Sequence, residues 1–156
     1  MDEEDDKILL SLMKVFIAQM NSALKISKII SEHGDEEEMS PDSLVTGLIY
    51  RLMVSMNEEE MKDSLDFAED CLYKETSSSD EDEEDDEYNY ENMNDLENNN
   101  EVIQPRTIKR NTCNCNICAK ARACLTNYST HEIEDELAGK FKDAIDNSCS
   151  IHKLNI

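Results

Sequence analysis

Glycine is scarce in this chain, with three residues in 156. A glycine-rich phosphate loop is therefore missing, and little loop scaffolding remains to hold a nucleophilic cysteine beside a histidine. The sequence also lacks an HExxH pair, and no segment with strand character precedes its CxxC motif, as a thioredoxin-like site would require. We therefore expect a protein that is not an enzyme.

A basic leader is also missing, since the sequence opens with "MDEEDDK". A secretory signal needs a basic start before its apolar core, so we expect an intracellular protein that is not secreted. The longest apolar run, "ILLSLMKVFIAQM", is interrupted by Lys14 and is shorter than the ~20 residues of a membrane span. The formal net charge of -22 repels anionic lipid, and we expect no membrane partner.

Positive charge is missing altogether from the middle of the chain. Residues 1–74 hold 18 Asp and Glu against 7 Lys and Arg, residues 75–105 hold 13 against none, and residues 106–156 hold 6 against 8. This division predicts an all-α protein in three parts. The parts are a helical bundle over 1–74, a disordered acidic linker over 75–105 and a Cys-rich zinc-binding helical module over 106–156.

Apolar residues at helical spacing predict three helices in the first part. The first runs over about 8–30, the second follows the start signal "SPDSL", and the third follows "NEEEM", where Asn57 and Glu60 have the spacing of a capping box. The first helix has more apolar residues than one face of a three-helix bundle uses. These surplus apolar residues predict a protein partner, and that partner can be a second copy of the chain in a homodimer.

Residues 75–105 combine thirteen acidic residues with almost no aliphatic ones. Such a segment buries too little apolar surface to offset the entropy lost on ordering, which predicts disorder. Ser77, Ser78 and Ser79 each have an acidic residue three positions later and are candidate phosphorylation sites for an acidophilic kinase.

The third part contains five of the six cysteines. Cys115 and Cys118 form one chelating pair, and Cys149 and His152 form another, so that the two pairs together predict a Cys3His zinc site. Cys113 is an alternative ligand. A helix from about 133 to 147, capped at Ser129 and Glu132, and a shorter helix before it would form the hairpin that brings the pairs together. Disulfides and free structural thiols are the competing states.

The first five charged residues of this part are all basic, which makes nucleic acid a possible partner. The net charge of residues 106–156 is about +2, and aromatic residues are 5% of the whole chain, so stacking on bases has little support. The favoured function is a non-enzymatic adaptor or scaffold that acts through protein contacts. The alternative is a nucleic-acid-associated regulator that uses the basic tail, with the acidic linker modulating binding. The basic residues are Arg106, Lys109, Arg110, Lys120 and Arg122.

Two stretches of the sequence resemble a known group of proteins. "DSLVTGLIYRLMVSMNEEEMKDSLDFAE" and the tail motifs "CNCNICAKARACLTNY" and "FKDAIDNSC" look like small uncharacterised acidic proteins of giant nucleocytoplasmic large DNA viruses. The resemblance implies a viral protein in the host cytoplasm or the virion. It assigns no functional residue, and an oxidising virion would favour disulfides over zinc.

Overall fold

The structure, a computed structural model, describes residues 2–74 and 103–156. Within these ranges the chain forms five α-helices and one two-stranded sheet, which confirms the all-α class. The predicted linker lies almost wholly outside the described residues, as do Ser77, Ser78 and Ser79. The helices are α1 (Glu3–His33), α2 (Pro41–Met53), α3 (Glu58–Tyr73), α4 (Asn116–Asn127) and α5 (Glu136–His152), and the strands are β1 (Arg106–Thr107) and β2 (Leu154–Asn155).

The starts of α2 and α3 follow the signals in the sequence. Ser40 caps α2 by accepting a hydrogen bond from the backbone N–H of Ser43, and Pro41 occupies the first helical position. At α3 the Asn57 side chain accepts from the Glu60 N–H, and the Glu60 carboxylate accepts from the Asn57 N–H. The predicted capping box is thus confirmed.

The last helix begins and ends later than predicted. Residues 128–130 form a 3₁₀ turn, and Asp135 caps α5 by accepting from the Ala138 N–H at 2.7 Å. The predicted cap at Ser129 and Glu132 is therefore wrong, because Ser129 lies within the 3₁₀ turn and the helix begins after Asp135, six residues later. The helix then continues through His152 and ends at Lys153, whose φ of 53° is left-handed.

The short sheet joins the two ends of the C-terminal part. Arg106 of β1 pairs with Leu154 of β2, and Thr107 pairs with Asn155, in parallel. The Ile108 N–H also donates to the Asn155 carbonyl at 2.8 Å.

The N-terminal and C-terminal parts share one hydrophobic core. Helix α2 packs against α1 on one side and against α4 and α5 on the other. Gly47 permits the close approach of α1 and α2, since a Cβ atom there would lie 1.8 Å from Ser27 Oγ and 2.7 Å from the Ala23 carbonyl. The core residues come from both sides of the acidic segment: Ile26, Ile30, Val45, Ile49 and Tyr50, with Ile108, Cys118, Ala121, Cys124, Leu125, Tyr128, Ile145, Cys149 and Leu154.

Helix α1 is much longer than the helices that cover it. Its residues after Ile17 supply all of its buried positions, whereas the large apolar side chains before that point are 40–59% exposed. By length and composition, α1 is the one helix of residues 2–74 and 103–156 that would suffice to cross a membrane, a property that core helices and signal sequences share. The exposed set is Ile8, Leu9, Leu10, Leu12, Met13, Val15 and Phe16.

Candidate metal centre

The end of α1 meets the start of α4 in a group of one imidazole and three thiols. His33 is the last residue of α1, Cys113 and Cys115 lie in the segment before α4, and Cys118 is in its first turn. The four candidate ligand atoms all lie within 4.8 Å of one another. His33 is exposed, Cys113 and Cys115 are half-buried, and Cys118 is buried. Together they could hold a metal ion.

The distances around His33 match tetrahedral coordination. Its Nδ1 atom lies 3.2 Å from the Cys115 sulfur, 3.4 Å from the Cys113 sulfur and 3.5 Å from the Cys118 sulfur. Typical zinc–nitrogen and zinc–sulfur bonds of about 2.1 and 2.3 Å place the nitrogen and sulfur corners of a tetrahedron about 3.6 Å apart. The three distances therefore agree with this edge to within about 0.4 Å.

Hydrogen bonding alone does not account for this arrangement. A ring nitrogen of a neutral histidine has either one proton or one lone pair, and so serves one well-formed hydrogen bond. Three sulfurs within 3.5 Å of the Nδ1 atom exceed that capacity. A cation at the centre satisfies all four atoms together, because each thiolate and the imidazole then donates a lone pair to it.

Backbone and side-chain groups outside the four ligands hold the loop in place. The Asn111 amide donates to the Ile30 carbonyl of α1 at 3.1 Å and to the Cys118 sulfur at 3.3 Å. The Arg122 guanidinium donates to the backbone carbonyls of Asn111 and Cys113. Such outer contacts orient metal ligands and raise the affinity of a site.

The sulfurs also accept hydrogen bonds from the backbone. The Cys115 N–H donates to the Cys113 sulfur, and the Cys118 N–H donates to the Cys115 sulfur, both at 3.4 Å. Cys115 is thereby the N-cap of α4, where the helix dipole favours negative charge. These bonds stabilise thiolates, which are the forms that bind metal.

The environments of Cys115 and Cys118 shift their pKa values in opposite directions. The hydrogen bond from the Cys118 N–H is the main cause that lowers the pKa of Cys115 to about 6. Burial raises the pKa of the Cys118 thiol to about 11. In the metal-free chain Cys115 is therefore the more readily ionised of the two thiols.

The structure brings together three of the five predicted ligands and supplies a different fourth. Cys115, Cys118 and the alternative ligand Cys113 belong to the group, whereas Cys149 and His152 lie outside it. Because α5 extends to His152, Cys149 is buried in the hydrophobic core and His152 is exposed on the last turn. The group that the described residues form is therefore His33 with Cys113, Cys115 and Cys118, in place of the predicted pairs.

The sequence prediction overlooked His33. Its signal is weak, because it is a single histidine followed by Gly34, 80 residues before Cys113. A histidine at the end of a helix is ordinary, since it complements the helix dipole there. Only the packing of α1 against α4 shows that it faces the cysteines.

No protein family, curated protein or solved structure matches the chain.

Proposed function

We propose that this protein is a non-enzymatic zinc-binding adaptor or scaffold that acts through protein contacts. The observation that carries the proposal is the placement of three cysteine sulfurs within 3.5 Å of one nitrogen of His33. A donor set of one imidazole and three thiolates at tetrahedral spacing suits zinc. Four protein ligands fill a tetrahedral site, as in structural zinc sites, whereas catalytic zinc keeps one position open for water or substrate.

Zinc at this site would join two distant parts of the chain. His33 belongs to α1, and the first cysteine of the site follows 80 residues later. The acidic segment 75–102 lies between them. Closing so long a loop costs entropy, and a metal bond between its ends offsets that cost. The metal would thereby hold the loop before α4 against the end of α1.

Native mass spectrometry of the full chain, purified under reducing conditions, tests the zinc site. We expect one zinc per wild-type chain and no tightly bound zinc in Cys118→Ser. Cys124→Ser is the matched control, since Cys118 and Cys124 are both buried cysteines of α4, with exposed fractions of 1% and 7%, and only Cys118 belongs to the metal group. Cys124→Ser should retain zinc.

Two results would overturn the zinc proposal. One is a wild-type chain that takes up no zinc while its six thiols are reduced. The other is equal zinc content in Cys118→Ser and wild type, because a chain that loses a buried thiolate ligand should bind much more weakly.

Adaptor action through protein contacts has its support in the exposed apolar part of α1. Seven large apolar side chains there are at least 40% exposed, and a contiguous patch of this kind is typical of an interaction surface. The alternative function in nucleic-acid binding has less support. Arg106 is paired with Asp42, and Arg122 is bound to backbone carbonyls near the metal group, which leaves fewer free cations for phosphate. Viral origin and location in the host cytoplasm or virion stay predictions.

A further inference from the structure

The exposed part of α1 continues the same stripe that is buried farther along the helix. Ile8, Leu12 and Val15 are exposed, and positions 19, 22, 26 and 30 follow them at spacings of three or four residues. Ser22, Ile26 and Ile30 are buried by the rest of the fold. Residues at this spacing share one face of a helix. The face that is buried in the second half of α1 is therefore exposed in the first half.

A groove of about 750 Å³ lies beside the part of α1 at which its exposed apolar residues give way to buried ones. Its wall on α1 includes Val15, Phe16 and Met20, and its opposite wall on α5 includes Leu137 and Phe141. Phe16 and Leu137 are 53% and 44% exposed. The projecting apolar stripe and the groove are therefore one continuous surface, and Val15 and Phe16 belong to both.

We propose, as an extension of the protein-contact function proposed above and resting on it, that the partner on this surface is a second copy of the chain, with the two α1 helices antiparallel and crossing near Leu12. Each chain carries both a projecting helix and an adjacent groove. A two-fold arrangement puts the first turns of each α1 into the groove of the other chain and so covers both features at once. The contact is isologous and closes at two copies.

Charge on α1 favours the antiparallel direction. Residues 2–6 of the chain, at the start of this helix, are all acidic. A parallel pair would place the two acidic ends side by side, where like charges repel. An antiparallel pair separates those ends and places each at the groove of the other chain, whose lining includes the cations Arg51 and Lys140 and the acid Asp135.

Other occupants fit the surface less well. The chain's own segment 75–102 contains few apolar residues and so offers little to an apolar groove, whereas residues 8–10 of α1 are Ile, Leu and Leu. A lipid surface would meet the same five acids at the N-terminal end of α1, and anionic headgroups would repel them.

Analytical ultracentrifugation of the full chain in reducing buffer, with and without zinc, tests the pairing. We expect a dimer in both conditions, because His33 and the metal group lie at the opposite end of α1 from Leu12. Leu12→Glu should raise the dimer dissociation constant roughly 30-fold, as loss of a central contact does. Ile151→Glu is the control: Ile151 is 62% exposed on α5, compared with 49% for Leu12, and does not line the groove, so the dimer should persist. Circular dichroism checks that both variants remain folded.

Photo-crosslinking tests the direction of the pair. p-Benzoylphenylalanine in place of Glu4, in a mixture of isotopically light and heavy chains, should form inter-chain crosslinks to residues of the groove, including those of α5. Crosslinks between the first ten residues of two chains would contradict the antiparallel arrangement. A wild-type monomer at the highest soluble concentration would overturn the proposal, and so would a monomer that instead binds vesicles of zwitterionic lipid through α1. Neither result would bear on the zinc site.

Discussion

At the scale of single residues, the surroundings of each sulfur distinguish the cysteines of this chain. Burial raises the pKa of the Cys124 and Cys149 thiols, and both pack in the hydrophobic core. Cys115 at the start of α4 has the opposite shift, to a pKa of about 6. Cys118 shares the burial and the raised pKa of these core thiols, so the neighbours of its sulfur, and not its burial, place it in the metal group.

This contrast predicts the order of thiol alkylation. In metal-free, reduced protein at pH 7, iodoacetamide should modify Cys115 well before Cys124 and Cys149, because Cys115 is then mostly thiolate and the other two are buried thiols. Bound zinc should protect Cys115. Peptide mass spectrometry after timed quenching measures the order, and equal rates for Cys115 and Cys124 would contradict the structure.

Asp42 ties the N-terminal part to the C-terminal part. Its buried carboxylate accepts two hydrogen bonds from the Arg106 guanidinium, one of them at 2.7 Å, and a third from the Lys109 N–H at 2.7 Å. The hydrogen bond from Arg106 is the main cause that lowers the pKa of Asp42. The carboxylate therefore stabilises the folded chain in its ionised form.

Asp42→Asn should lower the free energy of unfolding at pH 7 by about 2 kcal/mol, less than for a fully buried ion pair because Arg106 is half-exposed. The folded pKa of Asp42 is the lower one, so its stabilisation is present above the unfolded pKa of about 3.9 and is lost as the pH falls through the folded value. Urea titrations between acidic and neutral pH should show that the difference between wild type and Asp42→Asn shrinks in acid. Asp70→Asn, in an exposed pair with Lys74, is the control and should change stability little. A difference that grows in acid would contradict this role.

At the scale of secondary-structure elements, the sequence was most informative where a cap and an apolar stripe coincide. The starts of α2 and α3 are set by local hydrogen bonds, which the sequence displays directly. The start of α5 was misplaced because Ser129 and Asp135 are both good caps, and the choice between them depends on packing. The parallel pairing of β1 with β2 involves two residues from each strand, too few for any periodicity to appear.

Two glycines in helices predict opposite effects of the same substitution. Gly47→Ala should destabilise the fold by about 1–3 kcal/mol, because the new methyl group would overlap Ser27 and the Ala23 carbonyl of α1. Gly139→Ala in α5 should be neutral or stabilise by roughly 0.5–1 kcal/mol, because its nearest neighbour, Ile133, is at an ordinary 3.6 Å and alanine is the better helix former. Thermal unfolding followed by circular dichroism compares them. Equal stability of the two variants would refute the close approach of α1 and α2.

At the scale of the whole molecule, the packing of distant elements determines the metal group. The CxxC motif identified Cys115 and Cys118 because a turn of that length brings two sulfurs together locally. His33 could not be identified in this way, since its position depends on α1 and α4 both packing against α2. The same packing buries Cys149 beside the bundle core, so a pattern of spacing alone did not separate a ligand from a core residue.

Removal of the metal should weaken the whole fold. At a free-zinc concentration about 1,000 times the dissociation constant, binding to the folded chain alone stabilises it by about 4 kcal/mol. A chelator that strips zinc should then lower the melting temperature by roughly 10 °C for a chain of this size. Differential scanning calorimetry measures the shift. In Cys118→Ser the chelator should have no effect on the melting temperature. A wild-type melting temperature that changes with neither zinc nor chelator would show that no metal joins α1 to α4.

X-ray absorption at the zinc edge on wild type, His33→Ala and His152→Ala tests most directly whether His33 completes the zinc site. The structure predicts three sulfur neighbours at about 2.3 Å and one nitrogen at about 2.0–2.1 Å in wild type and in His152→Ala, with the histidine signal lost in His33→Ala. Loss of that signal in His152→Ala, with His33→Ala unchanged, would exclude His33 as the ligand and place the ion at the end of α5 instead.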